Sequence, residues 1–329
     1  MTANAVNRIA CALALAAICT APSAGAQDKA RDYPTRPIRI VIGIAPGGGL
    51  DTITRVAAQR VGERLRQTAV VDNRPGAGTV LAMDLVQQAT PDGYTIMCAS
   101  ETFLLNGVLK RVRYDVRKAF DPVVRISTQP YILVAGPTVP INTLKELIAY
   151  AKAKPGALSF GTPGIGTTIH IGWERLMSMT GTQLLHVPYK GGAPAVIDAM
   201  AGQIQLVITT TITAGAHLKS GKLKAIAMTG PKRISIYPEI PTIAESGLPG
   251  YELTNSYGFF VPAGTSKAII DIINAATIEA MNAPETRKIL AADGAEVAPP
   301  ITPEEFRAKV EHDYGVMETV IRSMNLKLQ

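Results

Sequence analysis

Residues 38–51 have the sequence Ile38-Arg39-Ile40-Val41-Ile42-Gly43-Ile44-Ala45-Pro46-Gly47-Gly48-Gly49-Leu50-Asp51. The apolar run at its start predicts a buried strand, and the glycines predict a tight loop that leads into a helix with Asp51 as its N-cap. A strand, a glycine loop and a helix N-terminus together present backbone N–H groups to an anion. This stretch therefore predicts one side of an anion-binding site.

A second loop of the same kind is Gly161-Thr162-Pro163-Gly164-Ile165-Gly166-Thr167-Thr168, which follows a short strand-like stretch at residues 158–160. Thr167 stands where a nucleotide-binding P-loop carries its lysine, and the third glycine of the dinucleotide-binding fingerprint is missing. A nucleotide site is therefore not expected. Two neutral loops instead predict a cleft that holds a small anion from both sides.

Strand and helix patterns alternate along the chain in two sets of βαβ order. The predicted strands lie at residues 38–44, 70–71, 94–99, 131–135, 158–160, 183–188, 205–208, 224–228 and 257–261. The predicted helices lie at residues 52–66, 80–88, 143–152, 169–179, 193–201, 267–281, 284–293 and 303–323. This order predicts parallel sheets with helices on their faces. We expect an α/β fold with two lobes, each a parallel-rich sheet flanked by helices, and a ligand cleft between them.

The N-terminal 26 residues have the pattern of a secretory signal peptide. Arg8 precedes an apolar run from Ile9 to Cys19, and Ala24-Gly25-Ala26 forms a cleavage site. We expect cleavage after Ala26 and an exported chain without a transmembrane helix. Cys98 is then the one cysteine left, so no intramolecular disulfide is expected and the thiol should be a small buried side chain.

Several function classes are disfavoured by composition and spacing. Lys and Arg outnumber Asp and Glu by 33 to 26, but the basic residues are dispersed and the chain is exported, so no nucleic-acid partner is expected. The histidines show no metal-ligand spacing, and no G-x-S-x-G motif is present. We therefore expect no metal, no cofactor and no catalytic residues. The alternative from the enzyme classes is a secreted hydrolase or lyase that uses His170 and Glu101.

Short motifs along the whole predicted mature chain resemble one known family, the extracytoplasmic solute-binding receptors of tripartite tricarboxylate transporters, or Bug-type receptors. The motifs lie at residues 45–51, 73–78, 91–95, 186–192, 221–225, 241–245 and 261–265. They occur in the family's order, which makes the set specific although each piece is short.

The resemblance implies a two-lobed periplasmic binding protein, type II-like, that captures a small carboxylate and delivers it to two integral-membrane transporter subunits. One lobe would comprise residues 27–128 and 255–329, and the other residues 129–254, with the return crossing somewhere in 225–255. It would act as a monomer without a cofactor. A sensory role, in which the loaded protein docks on a receptor kinase, stays open as an alternative.

The resemblance also implies which residues hold the ligand's carboxylates, through backbone N–H groups, short side chains and ordered water. The resemblance points to Gly47, Gly48 and Asp51 on one side and to Thr162, Gly164, Gly166, Thr167 and His170 on the other. We also expect Pro46, Gly78, Ser100 and Thr209 to belong to the ligand-binding set. Relatives often carry an aspartate where this chain has Thr209. Its absence favours a plain aliphatic or aromatic carboxylate over an amino acid. Which carboxylate is bound stays open.

Overall fold

The computed structural model describes residues 32–323, and the predicted signal peptide lies outside this part of the chain. The strands are β1 (Ile38–Ile42), β2 (Ala69–Asn73), β3 (Thr95–Ser100), β4 (Phe120–Ala135), β5 (Ser159–Thr162), β6 (Leu185–Pro188), β7 (Leu206–Thr210), β8 (Lys224–Met228), β9 (Thr254–Pro262) and β10 (Glu296–Val297). Within the described residues they form one mixed sheet of order β2-β1-β3-β9-β4-β7-β5-β6, with β8 and β10 also paired to β4.

Helices cover the sheet on both sides. They are α1 (Gly49–Leu65), α2 (Val80–Gln87), α3 (Thr102–Val108), α4 (Val116–Ala119), α5 (Leu144–Ala153), α6 (Thr168–Thr180), α7 (Gly192–Met200), α8 (Thr211–Lys219), α9 (Lys267–Asn282), α10 (Pro284–Ala292) and α11 (Pro303–Ser323). Among residues 32–323, no helix combines the length and apolarity needed to cross a membrane.

The sheet has two halves that share strand β4. The first half-sheet contains the parallel strands β2, β1 and β3, followed by antiparallel β9 and residues Phe120–Pro130 of β4. The second half-sheet contains parallel β6, β5 and β7, with Tyr131–Ala135 of β4 and strand β8 antiparallel to them. The predicted α/β class and the parallel-rich sheets flanked by helices are therefore confirmed.

Each half-sheet has its own apolar core. Ile53, Ala57 and Val61, the predicted stripe of α1, are all buried against the first half-sheet. In the second half, Trp173 is fully buried and stacks on Phe160 with ring centroids 4.7 Å apart. Two cores joined by a shared strand are typical of a two-lobed molecule.

Some predictions from the sequence were incomplete or wrong. Residues 120–130 of β4 were not predicted as strand, because prolines and polar side chains interrupt the apolar alternation there and the ladder with β9 decides the conformation. Helices α3, α4 and α8 and strand β10 were also missed; α8 opens with Thr211-Ile212-Thr213, which has low helix propensity. Asp51 is not an N-cap, since α1 is capped by Gly48 and begins at Gly49.

The chain passes between the half-sheets at two neighbouring points. The chain enters the second half in β4, which changes pairing partners between Pro130 and Tyr131. It returns to the first half in β9, which begins at Thr254 opposite Pro130. The Thr229 hydroxyl joins both passages: it accepts the Tyr131 N–H at 2.9 Å and donates to the Leu253 carbonyl at 2.6 Å. These crossings lie beside the predicted boundaries at 128/129 and 254/255, and the division into lobes at those residues stays a prediction.

We predict that Thr229→Val lowers the free energy of unfolding by about 1–3 kcal/mol, because the nearly isosteric valine leaves the buried Tyr131 N–H without its acceptor. Thr229→Ser keeps the hydroxyl and is the matched control, with a smaller loss. The measurement is equilibrium urea denaturation of the three proteins. Equal stability of the valine variant and the wild type would show that the crossing does not depend on this hydroxyl.

Candidate functional site

A cavity of about 70 Å³ lies where the two half-sheets face each other. About 10–15 Å³ of such space holds one water, so this cavity has room for several water-sized groups. Its wall combines the start of α1 and the end of β3 from the first half with the starts of α6, α7 and α8 from the second. Tyr131 of β4 and Tyr257 of β9 also line it.

Two of the helices that point at the cavity begin with glycines and lack a capping side chain. Gly48 caps α1 and Gly191 caps α7, and neither position provides a side-chain hydrogen bond. Gly49 and Leu50 of α1 and Gly192 of α7 line the cavity. The first N–H groups of a helix have no intrahelical acceptor and lie at the positive end of its dipole. These two helix ends therefore offer unsatisfied donors to an anion from opposite sides.

Helices α6 and α8 also start at the cavity, and each is capped by its own threonine. Thr167 Oγ1 accepts the His170 N–H, and Thr210 Oγ1 accepts the Thr213 N–H, each at 3.3 Å. Thr167, Thr210 and Thr213 all line the cavity. The N-termini of α6 and α8 therefore present mainly hydroxyl groups to the cavity, because some of their backbone N–H groups are already bound by the capping threonines.

The second glycine loop is held together by hydrogen bonds within the protein. The Gly166 N–H donates to His170 Nδ1 at 3.1 Å, and the Gly164 N–H donates to Thr162 Oγ1 at 3.2 Å. Thr162 Oγ1 also lies 2.7 Å from His186 Nε2, and the rings of His186 and His170 stack at 4.1 Å. Burial, and then the neighbouring His170, lower the pKa of His186 to about 4, which keeps that ring neutral at physiological pH.

Asp51 stabilises the first glycine loop without lining the cavity. Its carboxylate accepts the Gly47 N–H at 3.0 Å and the Asn73 amide at 2.9 Å, and pairs with Arg55 at 3.0 Å. Burial alone raises the pKa of Asp51, but the hydrogen bonds from Arg55, Gly47 and Asn73 outweigh it, and the pKa lies below its usual range. The negative charge of the Asp51 carboxylate is thus balanced by Arg55.

Four residues of the predicted ligand-binding set line the cavity: Gly48, Ser100, Thr167 and Thr209. The other eight do not line it, and lie in or beside the loops around it: Pro46, Gly47, Asp51, Gly78, Thr162, Gly164, Gly166 and His170. Contact of any of these residues with a ligand stays a prediction.

Sequence reasoning missed several lining residues. Gly192 belongs to a motif that carried the family resemblance, Tyr189-Lys190-Gly191-Gly192, so the glycine pair before a helix was an available signal. Tyr131 and Tyr257 gave no comparable signal, because long-range strand pairing places them at the cavity, Tyr131 opposite Thr210 of β7 and Tyr257 opposite Ser100 of β3.

The cavity wall carries no charged side chain among the described residues, and apart from its hydrogen-bond donors it is largely apolar. Met83, Met97, Cys98 and Phe103 line the first half-sheet's side. Among the described residues, no Asp, Glu, Lys, Arg or His side chain lines the cavity. Burial raises the pKa of the Cys98 thiol to about 12, so it stays protonated and unreactive. The site is suited to an anionic group bound by helix ends and hydroxyls, with an apolar body against the wall.

Glu101 does not line the cavity. Its Oε2 accepts the Ser256 N–H at 3.1 Å, at the start of β9. Burial raises the pKa of Glu101 from 4.5 to about 7. Within residues 32–323 no group of three or more His, Cys, Asp or Glu side chains is placed to hold a metal ion.

Contacts across the cavity join the two halves. The Ala45 N–H donates to the Lys190 carbonyl at 2.9 Å, and the Thr102 and Thr168 hydroxyls are 3.1 Å apart. The halves also approach closely at Gly49, where an added Cβ atom would lie 2.5 Å from Thr210 Oγ1. The structure therefore shows a conformation in which the halves are closed on each other.

Comparison with known proteins agrees with this architecture. The chain is 34% identical over 310 residues to the UPF0065 protein in the tcbD-tcbE intergenic region of Pseudomonas sp. (strain P51), covering 93% of this chain and 91% of that protein. The structure of the periplasmic binding protein BugD is 31% identical with a TM-score of 0.86, covering 90% of this chain and all of that one. R. palustris Rpa4515 with adipate is 30% identical with a TM-score of 0.85, covering 89% and 98% of the two chains.

The predicted two-lobed periplasmic-binding-protein fold is confirmed by these structures. The family model that matches, over residues 53–324, is TctC, the tripartite tricarboxylate transporter family receptor. Because the match spans most of the chain, it confirms the resemblance seen in the sequence motifs. The chain belongs to the TctC family of tripartite tricarboxylate transporter receptors.

Proposed function

We propose that this chain is a periplasmic receptor that closes over a small plain carboxylate and delivers it to two integral-membrane transporter subunits. The observation that carries the proposal is the pair of uncapped helix ends, α1 from the first half and α7 from the second, facing one closed and neutral cavity. The adipate in Rpa4515 supports a carboxylate as the ligand. The chain acts as a monomer, binds without catalytic turnover, and is exported with cleavage after Ala26.

A carboxylate fits these donors for electrostatic reasons. Hydrogen bonds from backbone N–H groups to an ionised acceptor are stronger than neutral ones, and the helix dipoles add favourable potential. No cationic side chain is needed, and bridging water accommodates acids of different length. The ligand is an aliphatic di- or tricarboxylate or an aromatic carboxylate, with its body against Met83, Met97 and Phe103.

Capture follows from closure of residues 27–128 and 255–329 onto residues 129–254. The hinge lies at the paired crossings near Pro130 and Thr254, where few backbone torsions need to change. Closure buries the ligand and creates a surface, formed by both lobes together, that the membrane subunits distinguish from the open form. The contact set is Gly48, Ser100, Thr167 and Thr209, the predicted residues that line the cavity, with Gly49 and Gly192 added.

We predict that succinate binds more tightly than aspartate, and glutarate more tightly than glutamate, by about 10-fold or more. No acidic side chain among the described residues lines the cavity, so an ammonium group would be buried without a counter-ion. Isothermal titration calorimetry on these matched pairs measures the difference.

The variant Thr209→Asp should reduce this preference, because it places a carboxylate on the cavity wall, while Thr209→Val serves as the control without charge. Tighter binding of the amino acids by the wild type would contradict the assignment of plain carboxylates.

A second prediction concerns closure. Gly49→Ala puts a Cβ atom against Thr210 Oγ1 across the cavity and should weaken carboxylate binding by about 10-fold or more, since the halves can no longer meet. Gly315→Ala in α11 is the matched control, because nothing lies within 4 Å of a Cβ added there. Thermal-shift titration with adipate, citrate and benzoate compares the two variants with the wild type. Unchanged binding by Gly49→Ala would rule out this closed form as the bound one.

A third prediction tests whether Glu101 affects the stability of the protein without taking part in ligand binding. Folding favours the protonated form of Glu101, since its pKa is raised to about 7, so wild-type stability falls as the pH rises from about 4.5 through 7. Glu101→Gln mimics the protonated form and should be more stable than the wild type at pH 8, with little difference at pH 4.5. Urea denaturation at both pH values measures this. Carboxylate affinity should be unchanged, and its loss would place Glu101 in the site.

A further inference from the structure

Arg111 follows α3 in the first half and reaches across to the second glycine loop. Its guanidinium Nη1 donates to the Ile165 carbonyl, and the same nitrogen lies 3.4 Å from Asn106 Oδ1. Ile165 is in the middle of the loop that precedes α6. The side chain therefore joins the two halves beside the cavity without lining it.

The guanidinium of Arg111 is hydrogen-bonded to oxygen atoms of uncharged groups. Within residues 32–323, Arg111 forms no ion pair with a carboxylate, in contrast to Arg55, which pairs with Asp51. Burial lowers the pKa of Arg111, and no carboxylate offsets this effect. A guanidinium that is partly removed from water and hydrogen-bonded to uncharged oxygens lacks the Coulombic attraction of an ion pair, so part of its desolvation cost is not offset.

Two glycines, one from each half, make room for this guanidinium. A Cβ atom on Gly78 would lie 2.6 Å from Arg111 Nη1, and one on Gly166 would lie 2.7 Å from it. Both glycines have positive φ angles, +61° and +75°, which L residues rarely adopt. The space for Arg111 thus exists only where the loops of the two halves come together.

Asn106 connects this contact to the cavity wall. It is fully buried, and its amide donates to the Gly78 carbonyl at 2.8 Å and to Thr79 Oγ1 at 3.1 Å. Thr79 lines the cavity. A chain of hydrogen bonds therefore runs from the cavity wall of the first half, through Asn106 and Arg111, to the second glycine loop.

We infer that Arg111 is a positioning residue that latches the two halves in the closed, ligand-holding conformation. Its hydrogen bond to Ile165 exists only when the halves meet, so it stabilises the closed form over the open one. By linkage, a contact present only in the closed state raises the apparent affinity for a ligand held in that state. Ligand release is slower because the contact must break before the halves open. The inference rests on the proposed capture of a carboxylate by closure, but the latch itself is measurable without a ligand.

The test compares Arg111→Met with Arg113→Met. Arg113 is exposed two residues further on, so both variants lose one positive charge from the same segment. Spin labels on cysteines introduced at the exposed positions Leu81 and Ile197 report the distance between the halves. Arg111→Met should shift the distance distribution from the closed form to longer values in the ligand-free protein, and Arg113→Met should leave it unchanged. Identical distributions for the two variants would overturn the latch.

Stopped-flow kinetics provide the second readout, using whichever of adipate, citrate and benzoate binds the wild type most tightly. Arg111→Met should raise the dissociation rate about 10-fold or more, the range expected for loss of a hydrogen bond from a charged donor, with a smaller change in association rate. Arg111→Lys keeps a cationic donor and should restore part of the loss.

The outcomes separate the two proposals. If the wild type binds none of the three acids, the proposed function fails for these ligands, while the spin-label distances still decide the latch. If the wild type binds and Arg111→Met releases ligand at the same rate as Arg113→Met, the latch is wrong and the receptor function stands. Thermal unfolding of the ligand-free variants shows whether each is folded.

Discussion

Strand β4 belongs to both halves of the sheet, and its pairing with different neighbours along its length organises the whole molecule. Its backbone groups from Phe120 to Pro130 are paired with β9, and those from Tyr131 to Ala135 with β7 and β8. Buried N–H and C=O groups must be paired, so the change of partners at Pro130 sets where one half ends and the other begins. The helix N-termini that follow β1, β5 and β7 then converge on the gap between the halves.

The acidic side chain of Asp51 and the imidazole of His170 lie behind the two glycine loops and do not line the cavity. Asp51 pairs with Arg55 beneath the first glycine loop, and His170 accepts a hydrogen bond from the second. Both stabilise loop shape, while the cavity wall contributes backbone donors, hydroxyls and apolar surface. A receptor that must release its ligand benefits from this arrangement, because the donors are strong enough to hold a carboxylate but add no fixed opposite charge.

The order of elements and the core of each half were largely predictable from local pattern. The apolar stripe of α1 and the strand β8 were predicted, and Lys224–Met228 agrees residue for residue with the observed bounds. The long first part of β4 was not, because Pro122, Gln129 and Pro130 interrupt the strand pattern and only the ladder with β9 keeps them extended. Helix α8 was missed for a related reason: its threonines are weak helix formers, and packing against β4 and β7 outweighs that preference.

The α/β class, the family and the two glycine loops were predictable from the amino-acid sequence, since these depend on the period of apolar residues and on motifs a few residues long. The folded structure, in contrast, was needed to show which donors face the cavity. It turned the N–H groups of Gly164 and Gly166 toward Thr162 and His170, and exposed the helix end at Gly192 instead. The physical reason is that a hydrogen-bond donor's direction depends on the acceptors that folding places next to it, and those acceptors are distant in sequence or set by loop conformation.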